Sequence, residues 1–185
     1  MRVTPGAVSA RKALLLVLHD AGGSEDDALA LFRAGWGSPG LVLVAPGARS
    51  TKWSFERGRG DDLATVGHAL TQAFSRCPID PAQVGIGGFA EGATSALSLG
   101  ITNGRLFHAV VALSPGSIDK QKRVGQPRVF VAHGTGDRVH PFASTRDVLV
   151  PELRRQGYSV TFHPFSGGHT VPAEVSRAAV RWFLG

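Results

Sequence analysis

Six short runs in this chain are apolar at nearly every position rather than at every second one. They span 13–18, 41–45, 83–87, 109–113, 128–132 and 159–162. Runs of this length, rich in Val, Ile and Leu, read as strands covered on both faces, because a strand with one wet face alternates apolar and polar side chains. Between them lie stretches with helix signals. Ser24 precedes the acids Glu25, Asp26 and Asp27, the pattern of a capped first turn. Asp61 and Asp62 open a second candidate running to about Arg76, and Glu91 to Leu99 forms a third. A fourth runs from Phe142 to Gln156 with Gly157 as its stop, and the last from Pro172 to Phe183 with Pro172 in the first turn. Strand–helix alternation over 185 residues predicts an α/β fold. The expected architecture is one domain, 1–185, with a minimal, mostly parallel sheet of about six strands and helices on both faces. Residues 1–11 read as a short edge strand or a tail, and 47–60 as the longest irregular stretch.

Composition removes several function classes. The formal net charge is +6, which raises the question of a nucleic-acid partner. The basic residues are scattered, however, and the densest group, Lys120, Lys122, Arg123 and nearby Arg128, carries no interleaved aromatics. A solvated loop and no nucleic-acid partner are expected. Cys77 is the single cysteine, so no intramolecular disulfide forms, and it reads as a small buried residue at a helix end. No signal peptide and no apolar run of membrane-spanning length is visible, and a cytoplasmic protein is the expectation. No histidine pair stands at metal-ligand spacing with a carboxylate partner, so neither metal nor cofactor is expected.

In a doubly wound parallel sheet the chemistry gathers beyond the carboxyl ends of the strands. Gly88-Phe-Ala-Glu-Gly92 lies between a strand and a helix and has the two glycines of a G-x-S-x-G nucleophile elbow. Its central position holds Ala90, a methyl group in place of an oxygen. Asp137 follows the run 128–132 in His133-Gly-Thr-Gly-Asp137, where a carboxylate can orient an imidazole. His169 precedes the last helix. Elbow, acid and histidine follow in the chain order nucleophile, acid, base.

Four segments together resemble the small, capless carboxylesterase/phospholipase branch of the α/β-hydrolases, which includes acyl-protein thioesterases. His19-Asp-Ala-Gly-Gly23 resembles that family's L-H-G-x-G-G loop, and Gly88-Phe-Ala-Glu-Gly92-Ala its G-F-S-x-G-A elbow. His133-Gly-Thr-Gly-Asp137-Arg-Val-His-Pro141 resembles H-G-x-x-D-x-x-V-P, and Gly168-His169-Thr-Val-Pro172 resembles G-H-x-x-P. The resemblance implies a triad of Ala90 (where the family has serine), Asp137 and His169, with the N–H groups of Ala21 and Glu91 as oxyanion hole. His19, Asp20, Trp53, Phe55 and Phe89 are the candidate substrate-binding residues. Asp20 departs from the family glycine. It either reshapes the oxyanion loop, places a carboxylate near the site, or is a simple turn aspartate. Ser54 and Ser114 are not at an elbow, so neither replaces the missing nucleophile, and His133 and His140 read as structural.

Alanine cannot form an acyl-enzyme. Two accounts of Ala90 stand. In the first it replaces the serine of an active carboxylic-ester or thioester hydrolase, introduced to silence it, since every other part of the site remains. In the second it is native. His169 and Asp137 then serve non-hydrolytic proton transfer such as isomerisation, elimination or cyclisation, or the pocket only binds a ligand. The expected partner is a small-molecule ester or thioester, and a homodimer is left open.

Overall fold

The computed structural model describes residues 11–35, 38–55, 61–117 and 123–185. Lys120 and Lys122, residues 1–10 of the expected edge strand and 56–60 of the long irregular stretch lie outside the described residues. Six parallel strands form one sheet in the order β2-β1-β3-β4-β5-β6. They are β1 (Lys12–Leu18), β2 (Leu41–Val44), β3 (Ile79–Phe89), β4 (Ala109–Leu113), β5 (Arg128–Gly134) and β6 (Val160–Phe165). The unbroken apolar runs are explained by coverage on both sides. Leu14, Leu16 and Leu18 of β1 join a core with Val66 and Leu70, Ala96 and Leu97, and Leu153. Ala13, Leu15 and Val17 join a second core with Ala28, Val175, Ala179 and Phe183. The helices α2 (Asp61–Arg76), α3 (Glu91–Thr102) and α5 (Val150–Arg155) therefore cover one face, and α1 (Glu25–Leu31) and α6 (Ala173–Leu184) the other.

Local chemistry sets the element ends. Ser24 caps α1 in a full capping box, its hydroxyl accepting from Asp27 N–H and the Asp27 carboxylate accepting from Ser24 N–H. Gly157 ends the 142–155 helical stretch at φ 87°. The Arg128 guanidinium donates to the carbonyls of Trp182 and Phe183 at the end of α6, at 2.7 and 2.5 Å, placing a cation where the helix dipole favours one.

Several boundaries move. β3 begins at Ile79 rather than 83, because Ile79 pairs with Lys12 before a register shift, and regular pairing resumes at Leu14 and Val84. β6 extends through Pro164 to Phe165. It is the edge strand, where a missing N–H costs no ladder bond. Pro172 stands just before α6 rather than inside its first turn. The expected helix at 142–156 is interrupted: α4 (Phe142–Ser144) leads into a π turn at Thr145–Leu149, where Val150 N–H bonds to Thr145 O, before α5 begins. Pro151 supplies the cause, having no N–H and a ring that crowds the carbonyl four residues back. Cys77 follows α2 and is half-buried rather than fully buried.

Candidate active site

The site collects at the carboxyl ends of β1, β3 and β5. β3 ends at Phe89 and α3 starts at Glu91, so the chain reverses within a single residue, Ala90. That residue has φ 51° and ψ −112°, and its N–H donates to Leu113 O at 2.9 Å. A left-handed φ at a non-glycine residue costs about 1–3 kcal/mol and persists only where the surroundings impose it. The imposition is visible at the flanking glycines. A Cβ on Gly88 would lie 2.5 Å from the Gly92 backbone, and one on Gly92 would meet the carbonyl oxygens of Leu18 and His19. The elbow is therefore built in full, with a buried methyl group at its apex.

His169 sits between β6 and α6, with Nδ1 2.7 Å from Asp137 Oδ2. Asp137 has no accessible side-chain surface. Its Oδ1 accepts from Val139 N–H and His140 N–H, both at 2.9 Å. An acceptor fixed in this way makes Nδ1 of His169 the protonated nitrogen and leaves the Nε2 lone pair available as a base. Burial alone would push the Asp137 carboxyl up, but the hydrogen bonds from His169, His140 and Val139 outweigh it and hold it below the ordinary range.

Behind the acid, burial pushes the His133 imidazole down and keeps it neutral. Its Nε2–H then donates to His140 O at 2.9 Å and its Nδ1 accepts from the Thr145 hydroxyl at 2.8 Å. The 3.3 Å approach of His133 to Asp137 is thus a contact of a neutral ring rather than an ion pair. Both shifts are downward, so the unfolded chain binds more protons than the folded one between each pair of values, and stability rises with pH there. Folding stability is expected to fall as pH drops below about 6.5, where the unfolded imidazole charges, and again below about 4, where the unfolded carboxyl protonates. Urea midpoints between pH 8 and 3 test this. A His133→Asn variant should lose the upper limb and keep the lower one.

The loop at 19–23, expected from the resemblance to supply an oxyanion hole, holds its own carboxylate against the amides in question. Ala21 N–H donates to Asp20 Oδ1 at 2.7 Å and Glu91 N–H donates to the same oxygen at 3.1 Å. The two amides expected to form an open hole are both engaged by the chain's own carboxylate. Asp20 is thus more than a turn aspartate.

The six-stranded parallel order, the elbow between β3 and α3, and the acid and histidine after β5 and β6 decide the fold. The chain is an α/β-hydrolase in fold. No family model matches its sequence, and no curated protein matches it. Among solved structures the chain is similar to esterase PE8, at 26% identity with a TM-score of 0.77, over 96% of this chain and 94% of that one. It is similar to a phospholipase/carboxylesterase from Dyadobacter fermentans, at 22% identity and a TM-score of 0.73, over 98% and 94%. SOBER1 from Arabidopsis thaliana matches at 18% identity and a TM-score of 0.70, over 94% and 98%.

The substrate-binding candidates divide into two groups. Phe89 packs against His169, ring centroids 4.7 Å apart, and lines a cavity of about 510 Å³ with Asp20, Leu31 and Val171. His19, Trp53 and Phe55 do not line that cavity. His19 is buried, with Nδ1–H donating to Asp20 O and Nε2 accepting from Ala48 N–H. Trp53 is buried, donates from Nε1 to His19 O at 2.9 Å and stacks on Phe55. These three brace the 45–55 loop against the 19–23 loop.

Two further residues join the site's support: Asp62, which sequence reasoning placed at a helix start, and His140, which it read as structural. Asp62 reads as a helix-opening acid, yet its buried carboxylate turns back to accept from Arg49 N–H and Ser54 N–H, at 3.0 and 2.7 Å. That accounts for Ser54 as a loop anchor rather than a nucleophile. His140 packs its ring edge-on to His169 at 5.1 Å while Nδ1–H donates to Ser114 O. Its position three residues after Asp137 was the available signal. Ser114 is buried at φ 48° and directly follows Leu113, whose carbonyl accepts from Ala90 N–H, while its own carbonyl accepts from His140. Among the described residues no group of His, Cys, Asp and Glu could hold a metal, and no helix is long and apolar enough to cross a membrane.

Proposed function

We propose that this is the site of a serine carboxylic-ester or thioester hydrolase in which Ala90 stands at the nucleophile position, and that the chain as it is does not turn over esters through an acyl-enzyme. The observation that carries the reading is Ala90 itself. A methyl group gains nothing from a left-handed φ of 51°, whereas an elbow of this kind serves to project a serine Oγ, and the His169–Asp137 pair supplies the base such a serine needs. In the serine form, Oγ–H would be deprotonated by His169 Nε2 as the oxygen attacks the carbonyl carbon. Asp137 would stabilise the imidazolium, and His169 would then protonate the leaving alcohol or thiol. The roughly 510 Å³ cavity beside Phe89 suits a small-molecule ester. The solved structures of esterase PE8 and the Dyadobacter carboxylesterase support the same reaction class.

The test is labelling by a fluorophosphonate probe of a variant carrying Ala90→Ser with Asp20→Gly, the glycine restoring the resembled L-H-G-x-G-G loop. The double variant is expected to label at position 90 and the unsubstituted chain to stay unlabelled. A folded double variant that neither labels nor hydrolyses p-nitrophenyl esters would sink the reading. It would favour the second account, native alanine with His169 used for proton transfer or ligand binding. One observation already leans that way: Asp20 engages both oxyanion amides, which a replacement confined to position 90 does not explain.

A further inference from the structure

An oxyanion hole works because two preorganised N–H donors wait for an oxygen whose charge grows in the transition state. Here both donors already hold an oxygen. Asp20 Oδ1 lies 2.7 Å from Ala21 N and 3.1 Å from Glu91 N, and Glu91 is 71 residues away in the chain. The first of these bonds is local, to the next residue in the chain. The second reaches across to the first residue of α3, and nothing about the turn requires it. We infer that Asp20 is a specificity-determining residue, an internal stand-in for the substrate's carbonyl oxygen, so that ester chemistry is closed at two positions, 20 and 90, rather than at one.

The stand-in outcompetes an ester on three grounds. A carboxylate accepts roughly twice as strongly as a neutral carbonyl. It is tethered by its own backbone and loses no translational freedom on entering. Its charge also opposes a second negative oxygen in the same place, which is what the tetrahedral intermediate would bring. Asp20 lines the cavity shared with Phe89 and Val171, so the carboxylate borders the space proposed to take substrate. The loop holds it without strain, since the left-handed non-glycine residues among those described are Ala90 and Ser114. A serine at 90 facing this plug would still lack both donors. Each donor is worth about 10²–10³ in kcat. Ala90 and Asp20 therefore belong together, and the chain is not one substitution away from an esterase.

The inference rests on the esterase reading for what the two amides once held, and the experiment separates the two. Ala90→Ser, Ala90→Ser/Asp20→Gly and Ala90→Ser/Asp20→Ala are compared for fluorophosphonate labelling rate and p-nitrophenyl butyrate hydrolysis. At least one double variant is expected to react about 100-fold or more faster than Ala90→Ser alone. If Ala90→Ser alone matches the doubles, the plug is refuted while the esterase reading stands. If all three are inert, the esterase reading fails and the plug is decided by amide hydrogen exchange in the native chain and in Asp20→Ala. The Ala21 and Glu91 amides should exchange about tenfold or more faster in Asp20→Ala, with added formate restoring protection in that variant alone. Equal exchange in both proteins overturns the inference.

Discussion

Introducing Ser at 90 and Gly at 20 together should raise kcat/KM for p-nitrophenyl butyrate by on the order of 10⁴ over the native chain, and His169→Ala in that background should remove nearly all of the gain. The size follows from what each part contributes. Loss of a triad nucleophile costs about 10⁶ in kcat, with some 10³–10⁴ over water surviving through the oxyanion hole and binding. On the proposed reading the chain as it stands would lack that remaining activity as well, because Asp20 Oδ1 accepts from both amides. The double variant gains a nucleophile and frees both amides, but its surroundings are packed around Asp20 and Ala90, so full restoration is not expected. The dependence on His169 separates triad chemistry from adventitious hydrolysis by a new surface serine. Asp137→Asn in the same background should cost about 10⁴, because an amide at that position presents a donor as well as an acceptor to Nδ1 and releases the tautomer that leaves Nε2 basic. Activity that survives His169→Ala would mean the new hydroxyl acts without the imidazole.

How far the sequence could be read depended on whether a signal was local. The strands were legible because both-face burial leaves an unbroken apolar run, and the run 109–113 coincides with β4 residue for residue. Ser24 and its following acids gave the start of α1 for the same local reason. The π turn at 145–149 was less legible, since a proline one residue into a helix favours a start and the same proline mid-stretch forces a break. Asp137 and His169 could be paired on paper through motif order, and the 2.7 Å contact joins them. Asp20 and Asp62 could not be resolved in the same way. Each makes its decisive bond to a backbone N–H, and every non-proline residue offers an N–H, so the sequence carries no mark of which amide a carboxylate will find. Trp53 illustrates a related limit. An aromatic in a loop reads equally as pocket wall or core, and only the bond from its Nε1 to His19 O assigns it to the brace.

Gly92→Ala should destabilise the fold by more than about 4 kcal/mol, the range reserved for substitutions that break a specific built feature. For a chain of this size that is a fall in Tm of roughly 8–16 °C. The reason lies in what the new methyl meets. The Cβ would press on the carbonyl oxygens of Leu18 and His19, the latter at 2.5 Å. Both oxygens are backbone, at the end of central β1, so neither can rotate away as a flexible side chain would. Relief requires moving α3 off the sheet, which opens the core formed by Leu18, Ala93, Ala96 and Leu97. Gly67→Ala is the matched control. Gly67 lies on the exposed face of α2, a Cβ there meets nothing within 4 Å, and its φ is not left-handed. Alanine at that position should stabilise by about 0.5–1 kcal/mol through reduced freedom of the unfolded chain. The two substitutions are chemically identical, so opposite shifts in thermal midpoint would isolate the elbow's backbone contact as the cause. A Gly92→Ala protein that melts with the native chain would mean that the approach of α3 to β1 is not as tight as the elbow geometry requires, and the positive φ at Ala90 would lose its explanation with it.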